Sequence, residues 1–96
     1  MTELVAVRGD GNTHGGGNLI PQNAKTVFVE GRNVIEDSDP ASADGLCPGS
    51  GHCNPVSTSG SGSVFVYGNP LHRNGDNRVC GATTTVTNQS SVYAGD

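Results

Sequence analysis

Tryptophan is absent, aromatic side chains make up 4% of the chain and hydrophobic residues only 32%. A domain of 96 residues already buries a reduced share of its surface. With so few large apolar groups, an ordinary core barely offsets the entropy of ordering the backbone. Such a scaffold needs a staple: disulfides, a metal or association. Basic residues are scarce too, five in all (Arg8, Lys25, Arg32, Arg73 and Arg78), and they are dispersed. With a net charge of −4, that excludes the basic stripe of a nucleic-acid-binding surface. No apolar run approaches the ~20 residues that cross a bilayer. The N-terminus, Met1-Thr2-Glu3-Leu4-Val5, has neither basic nor apolar leader region, which predicts no secretory signal. Three cysteines are an odd number, which disfavours a complete disulfide framework. The expectation is a protein made and kept reduced in a cytosol, where Cys beside His indicates metal before disulfide.

Glycine, at 15 residues, is what the chain has in plenty. It punctuates short β-branched and aromatic runs, and no 3.6-residue apolar period appears anywhere. Disorder would show high net charge and scattered apolar residues; here charged residues are 15% and the apolar ones cluster. Two motifs alternate. The first is a strand ended by Gly: Val27-Phe28-Val29-Glu30-Gly31, Val64-Phe65-Val66-Tyr67-Gly68 and Val92-Tyr93-Ala94-Gly95. The second ends in Asp: Leu4 to Asp10, Asn33 to Asp39 and Pro70 to Asp76. Copies too small to bury a core alone must pack on each other. The prediction is a single all-β domain over residues 1–96: a small pseudo-threefold cone of short β-strands and Gly-rich loops. The middle loop, 40–62, is the longest. A linker between two domains is the alternative there, but neither flank is large enough to fold alone.

Each Asp is followed by a metal-ligating side chain. His14 follows Asp10 and Cys80 follows Asp76 at the same distance, and the middle loop offers Cys47, His52 and Cys53. A pseudo-threefold axis brings these loops together. Structural zinc is four-coordinate, with His and Cys ligands, and supplies folding energy that a thin core lacks. The expected set is His14, Cys47, His52 and Cys80, with Cys53 and His72 in reserve. His72, between Leu71 and Arg73, is expected at a surface or β-edge position. Taken singly, a loop His is usually solvated and a free Cys is usually a small buried hydrophobe; the repeat-equivalent placement favours a shared metal. There is no Ser-His-Asp context, Gly15-Gly16-Gly17 lacks the Lys-Ser/Thr of a phosphate loop, and little apolar material remains to line a pocket. These absences argue against an enzyme and a small-molecule substrate.

The motifs resemble the PAAR-repeat family of spike tips from contractile phage tails and type VI secretion machines. Gly9-Asp10 and His14-Gly15-Gly16 resemble its opening. The two Val-Phe-Val runs resemble its strands, Pro70-Leu71-His72-Arg73-Asn74-Gly75-Asp76 its signature with trailing Gly-Asp, and Cys80-Gly81 its last ligand. The departures are Arg8, one position closer to its Asp than Arg73 is, Glu36 and Ser38 in the middle copy, and a Cys where the family typically has a third His. The resemblance implies a cone with a metal near its apex, zinc or alternatively iron. It implies a broad base seated on a trimeric β-helical spike, one monomer per trimer, through Val27, Val29, Val64, Val66 and Val92. It also implies a mechanical role at the virion tip of a phage tail, piercing the host outer membrane. A type VI tip or adaptor carrying effectors, and a small metal-binding module, are the alternative readings.

Overall fold

Both Val-Phe-Val runs turn back on themselves as tight hairpins. The computed structural model describes residues 2–22 and 26–95. β3 (Phe28–Val29) pairs with β4 (Arg32–Asn33), and β5 (Phe65–Val66) with β6 (Asn69–Pro70). The turn residues Glu30 and Gly31 have φ of 50° and 81°, and Tyr67 and Gly68 have 51° and 82°. Positive φ at both central positions matches the twist of the flanking strands. A third ladder joins the two ends of the chain: β1 (Glu3–Leu4) pairs with β8 (Tyr93–Ala94). Leu4 faces Tyr93 as Asn33 faces Phe28 and Pro70 faces Phe65. The three units are therefore in one register, and no helix occurs among the described residues.

Hydrogen bonds run around the body in closed rings. Ala6 N–H donates to His72 O (2.9 Å), His72 N–H to Ile35 O (2.8 Å) and Ile35 N–H to Ala6 O (3.1 Å). One step on, Arg8 N–H donates to Asn33 O, Asp37 N–H to Pro70 O and Asn74 N–H to Leu4 O, all at 2.8–2.9 Å. Each unit thus covers the edge of the next, and backbone groups that a lone short strand leaves open are paired. This is the pseudo-threefold all-β body expected from the repeats. Its principal extents of 32 × 24 × 22 Å give one long axis and two near-equal short ones.

The terminal Asp of each repeat makes the turn at which the chain leaves this ring. Asp10, Asp39 and Asp76 each accept, through Oδ2, the N–H three residues earlier (Val7, Glu36 and Arg73) at 2.8 Å. The preceding residues, Gly9, Ser38 and Gly75, have φ of 92°, 80° and 83°. Glycine adopts this region without penalty; serine does not.

Two small apolar clusters fill the centre. Val5, Val34, Leu71 and Ala94 form one, with Val29 and Val66 packed against it. Ala6, Leu19, Ile35, Ala41 and Val86 form the other. His72 is not at the surface, as expected from its neighbours, but fully buried at 0% exposure. Its register explains this: it is the third-repeat equivalent of Ala6 and Ile35. Its Nδ1 lies 2.6 Å from Ser59 O and its Nε2 2.6 Å from Thr84 Oγ1. Burial lowers its pKa to about 4, against the opposing pull of the Ser59 carbonyl and Asp76, so the ring is neutral at pH 7.

Candidate metal centre

Beyond each Asp turn the chain runs out as a loop and returns. The returns are equivalent: Leu19 N–H donates to Asp10 O, Ser57 N–H to Asp39 O and Thr84 N–H to Asp76 O, at 2.9–3.1 Å. The first loop spans 11–18, the middle one 40–56 and the third 77–83. They are stitched in pairs by Gly45 N–H to Gly15 O (2.8 Å), Thr13 N–H to Thr83 O (3.0 Å) and Val79 N–H to Val56 O (2.8 Å). In addition β2 (Gly11–Asn12) pairs with β7 (Thr84–Thr85). The loops pack so closely that a Cβ on Gly45 would meet the His14 carbonyl oxygen at 2.6 Å.

Inside this junction lies one buried cation, Arg78, at 2% exposure. Its Nε donates to Thr84 Oγ1 (2.6 Å), one terminal nitrogen to Gly17 O (2.9 Å) and Pro55 O (3.2 Å), and the other to Gly11 O (3.0 Å). The fork thereby ties together the first loop, the middle loop and the return of the third. Burial pulls the guanidinium down to about 10, opposed by the neighbouring Cys80, Asp44 and Asp10 side chains. It therefore remains charged at neutral pH.

The loops bring His14, Asp44, His52 and Cys80 together, each offering a donor atom within 4.8 Å of the others. His14 comes from the first loop, Cys80 from the third, and the longer middle loop supplies both Asp44 and His52. Asp44 is the hub, its side chain wholly buried. His52 Nδ1 lies 3.0 and 3.1 Å from its two oxygens, and the Cys80 thiol 3.5 Å from Oδ2. The Asn12 amide donates to Oδ2 (3.2 Å) and the Leu46 N–H to Oδ1 (2.9 Å). Burial pushes the Asp44 carboxyl up, but the hydrogen bonds from His52, Leu46, Asn12 and Cys80 outweigh it. Together they hold the group well below the usual carboxylate range. His14 Nδ1 is buried with no hydrogen-bond partner; it stands 3.5 Å from Asp44 Oδ2, beyond hydrogen-bond range.

Of the residues expected to hold a metal, the structure gathers His14, His52 and Cys80. Cys47 is elsewhere: it forms a disulfide with Cys53, six residues on. This corrects the expectation of Cys47 as a ligand with Cys53 in reserve. The two pair locally across the middle loop, and Cys80 alone stays free. His72, the other reserve, has both ring nitrogens engaged in the core. Asp44 was missed, because an Asp before Gly in a loop is first a turn former. Its place in the middle loop, soon after Asp39 as His14 follows Asp10, was the available signal.

The candidate base residues divide. Val29 and Val66 turn inward onto the first apolar cluster. Val27, Val64 and Val92 are exposed, and between them stand Phe28, Phe65 and Tyr93 at 56%, 54% and 57% exposure.

A family model described as PAAR motif matches residues 8–86. No curated protein matches the chain.

Proposed function

The chain belongs to the PAAR-motif family, and on that footing we propose that it is the structural tip of a contractile phage tail, capping a trimeric β-helical spike as one monomer per trimer. The observation that carries this reading is the set Phe28, Phe65 and Tyr93. These residues occupy equivalent positions in three ladders and are exposed almost equally, at 56%, 54% and 57%. A single chain thus presents a near-threefold apolar face. Each ladder is only two strands wide, so strands of a trimeric partner can add to it by edge pairing. The role is mechanical rather than catalytic: a closed body that concentrates force on the host outer membrane at the virion tip.

The donor set fits a structural metal. Ligands of a tetrahedral zinc lie about 3.3–3.6 Å apart, so donors already within 4.8 Å of one another need draw in by only about an ångström to close on the ion. The buried, unpartnered His14 Nδ1 is a donor awaiting such a bond. His14, His52, Asp44 and Cys80 would hold the ion, and zinc suits the mixed nitrogen, oxygen and sulfur set best. A bound zinc would cross-link the three loops and add folding energy directly. Asp44 keeps a negative charge at the centre, and Arg78 balances it from within the junction.

Native mass spectrometry of the chain mixed with a trimeric β-helical spike tests the docking. The expected complex holds one copy per trimer, and Phe28→Glu with Phe65→Glu abolishes it. Three copies per trimer, or a complex indifferent to both substitutions, would refute the reading.

A further inference from the structure

Cys47 and Cys53 close a ring that contains His52. We propose that this disulfide is a redox-sensitive clamp on the metal centre. Closed, it holds His52 in place; opened by a small thiol, it frees the loop and weakens metal binding. The inference rests on reading His14, Asp44, His52 and Cys80 as a metal site.

Little else fixes this stretch. Cys47, Pro48, Gly49, Ser50, Gly51 and Cys53 are all exposed, and only His52 is half-buried. No apolar packing anchors the ring. Its ties are the His52 ring, which bonds Asp44 (3.0 Å) and lies 5.0 Å from the His14 ring, and backbone hydrogen bonds: Asp44 N–H to His52 O (2.8 Å), Cys47 N–H to Asp44 O (3.2 Å) and His52 N–H to Gly49 O (3.0 Å). Gly51 presses on Cys80 from the other side, where a Cβ would lie 3.3 Å from the Cys80 Cα. The ring therefore touches three of the four candidate ligands: it contains His52, bonds Asp44 and abuts Cys80. The covalent link restricts the loop in a way that its few solvent-facing contacts do not.

The sulfurs are also reachable. A small thiolate attacks one of them, the sulfur–sulfur bond breaks, and the other cysteine leaves as a thiolate that takes up a proton. A second small thiol then displaces the first cysteine, leaving two protein thiols and one small-molecule disulfide. The reverse exchange, with a small disulfide as oxidant, closes the clamp. Closing a ring of this size restricts the open chain enough to change affinity by about ten- to fiftyfold. By linkage, bound metal must protect the disulfide from reduction by the same factor.

The test is zinc affinity, by competition with a chromophoric chelator. It is measured on the oxidised protein, on protein reduced by a phosphine, and on the Cys47→Ser/Cys53→Ser variant. Cobalt(II) spectra of all three report thiolate ligation. The expected result is one zinc per oxidised chain and binding ten- to fiftyfold weaker in the other two. The cobalt–thiolate absorption should stay that of Cys80 alone throughout. Equal affinity in the three forms overturns the clamp. So does tighter binding on reduction with added thiolate absorption, which would make Cys47 and Cys53 ligands instead. An oxidised protein that binds neither zinc nor cobalt overturns the metal reading itself, and the clamp with it.

Discussion

Replacing Arg78 by lysine keeps the charge and removes the fork. Arg78 makes four hydrogen bonds of 2.6–3.2 Å to acceptors in the first loop, the middle loop and the return of the third. An ammonium is a single point with three donors, and it cannot span acceptors set along both edges of a guanidinium. Losing two of these bonds leaves buried oxygens unpaired, at about 1–1.5 kcal/mol each, or about 2–3 kcal/mol in total. For a domain of this size each kcal/mol moves Tm by about 4–8 °C, so Arg78→Lys should melt roughly 10–20 °C lower. The assay is thermal melting followed by circular dichroism with zinc in saturating excess, so that metal loss does not enter the comparison. Arg8→Lys is the control: Arg8 is exposed, and its replacement should cost less than about 0.5 kcal/mol. An Arg78→Lys protein melting within a few degrees of the parent would refute the view that one buried fork holds the loops together.

Three further outcomes follow from the same geometry. His72 is neutral because burial lowers its pKa to about 4, whereas an unfolded chain protonates near 6.5. The stability from the neutral ring is fully present above pH 6.5 and is lost as pH falls towards 4, by up to about 3 kcal/mol. An NMR titration of the His72 ring should show its midpoint near 4; a midpoint near 6.5 would contradict the burial. Ser38 occupies with φ of 80° a position that Gly9 and Gly75 fill elsewhere. Ser38→Gly should therefore raise stability by about 0.5–1 kcal/mol in urea unfolding, and a loss would show that the turn tolerates serine. Gly45→Ala places a Cβ 2.6 Å from the His14 carbonyl, pushing the first and middle loops apart. Zinc affinity should drop at least tenfold, and unchanged affinity would mean that the loops shift freely.

The repeats were legible in the sequence because each copy carries the same strand, the same glycine and the same terminal Asp. That register alone placed His14 and Cys80 at one junction. It also held the answer for His72, whose alignment with Ala6 and Ile35 marks it as core; its neighbours Pro70 and Arg73 suggested the surface instead. The middle loop was harder. It departs from the repeat length, so no register assigns its residues, and pairing within it depends on distances that spacing does not supply. Cys47 therefore looked as good a ligand as His52, although it bonds Cys53. Asp44 hid behind the commoner role of Asp-Gly as a turn. Arg78 gave no sign either, since a charged loop residue is ordinarily solvated. It is buried here because carbonyls of the first and middle loops and the Thr84 hydroxyl converge where apolar side chains are too few to fill the space.

In the reading proposed above, one metal, held by His14, Asp44, His52 and Cys80, pins the three loops of a pseudo-threefold body. Its most direct test is elemental analysis of the purified protein beside an Asp44→Ala/Cys80→Ala variant, with melting measured before and after chelation. The expected result is about one zinc per chain in the parent, almost none in the variant, and a sharp fall in Tm when the metal is removed. A parent protein that carries no metal and melts unchanged in chelator would contradict it.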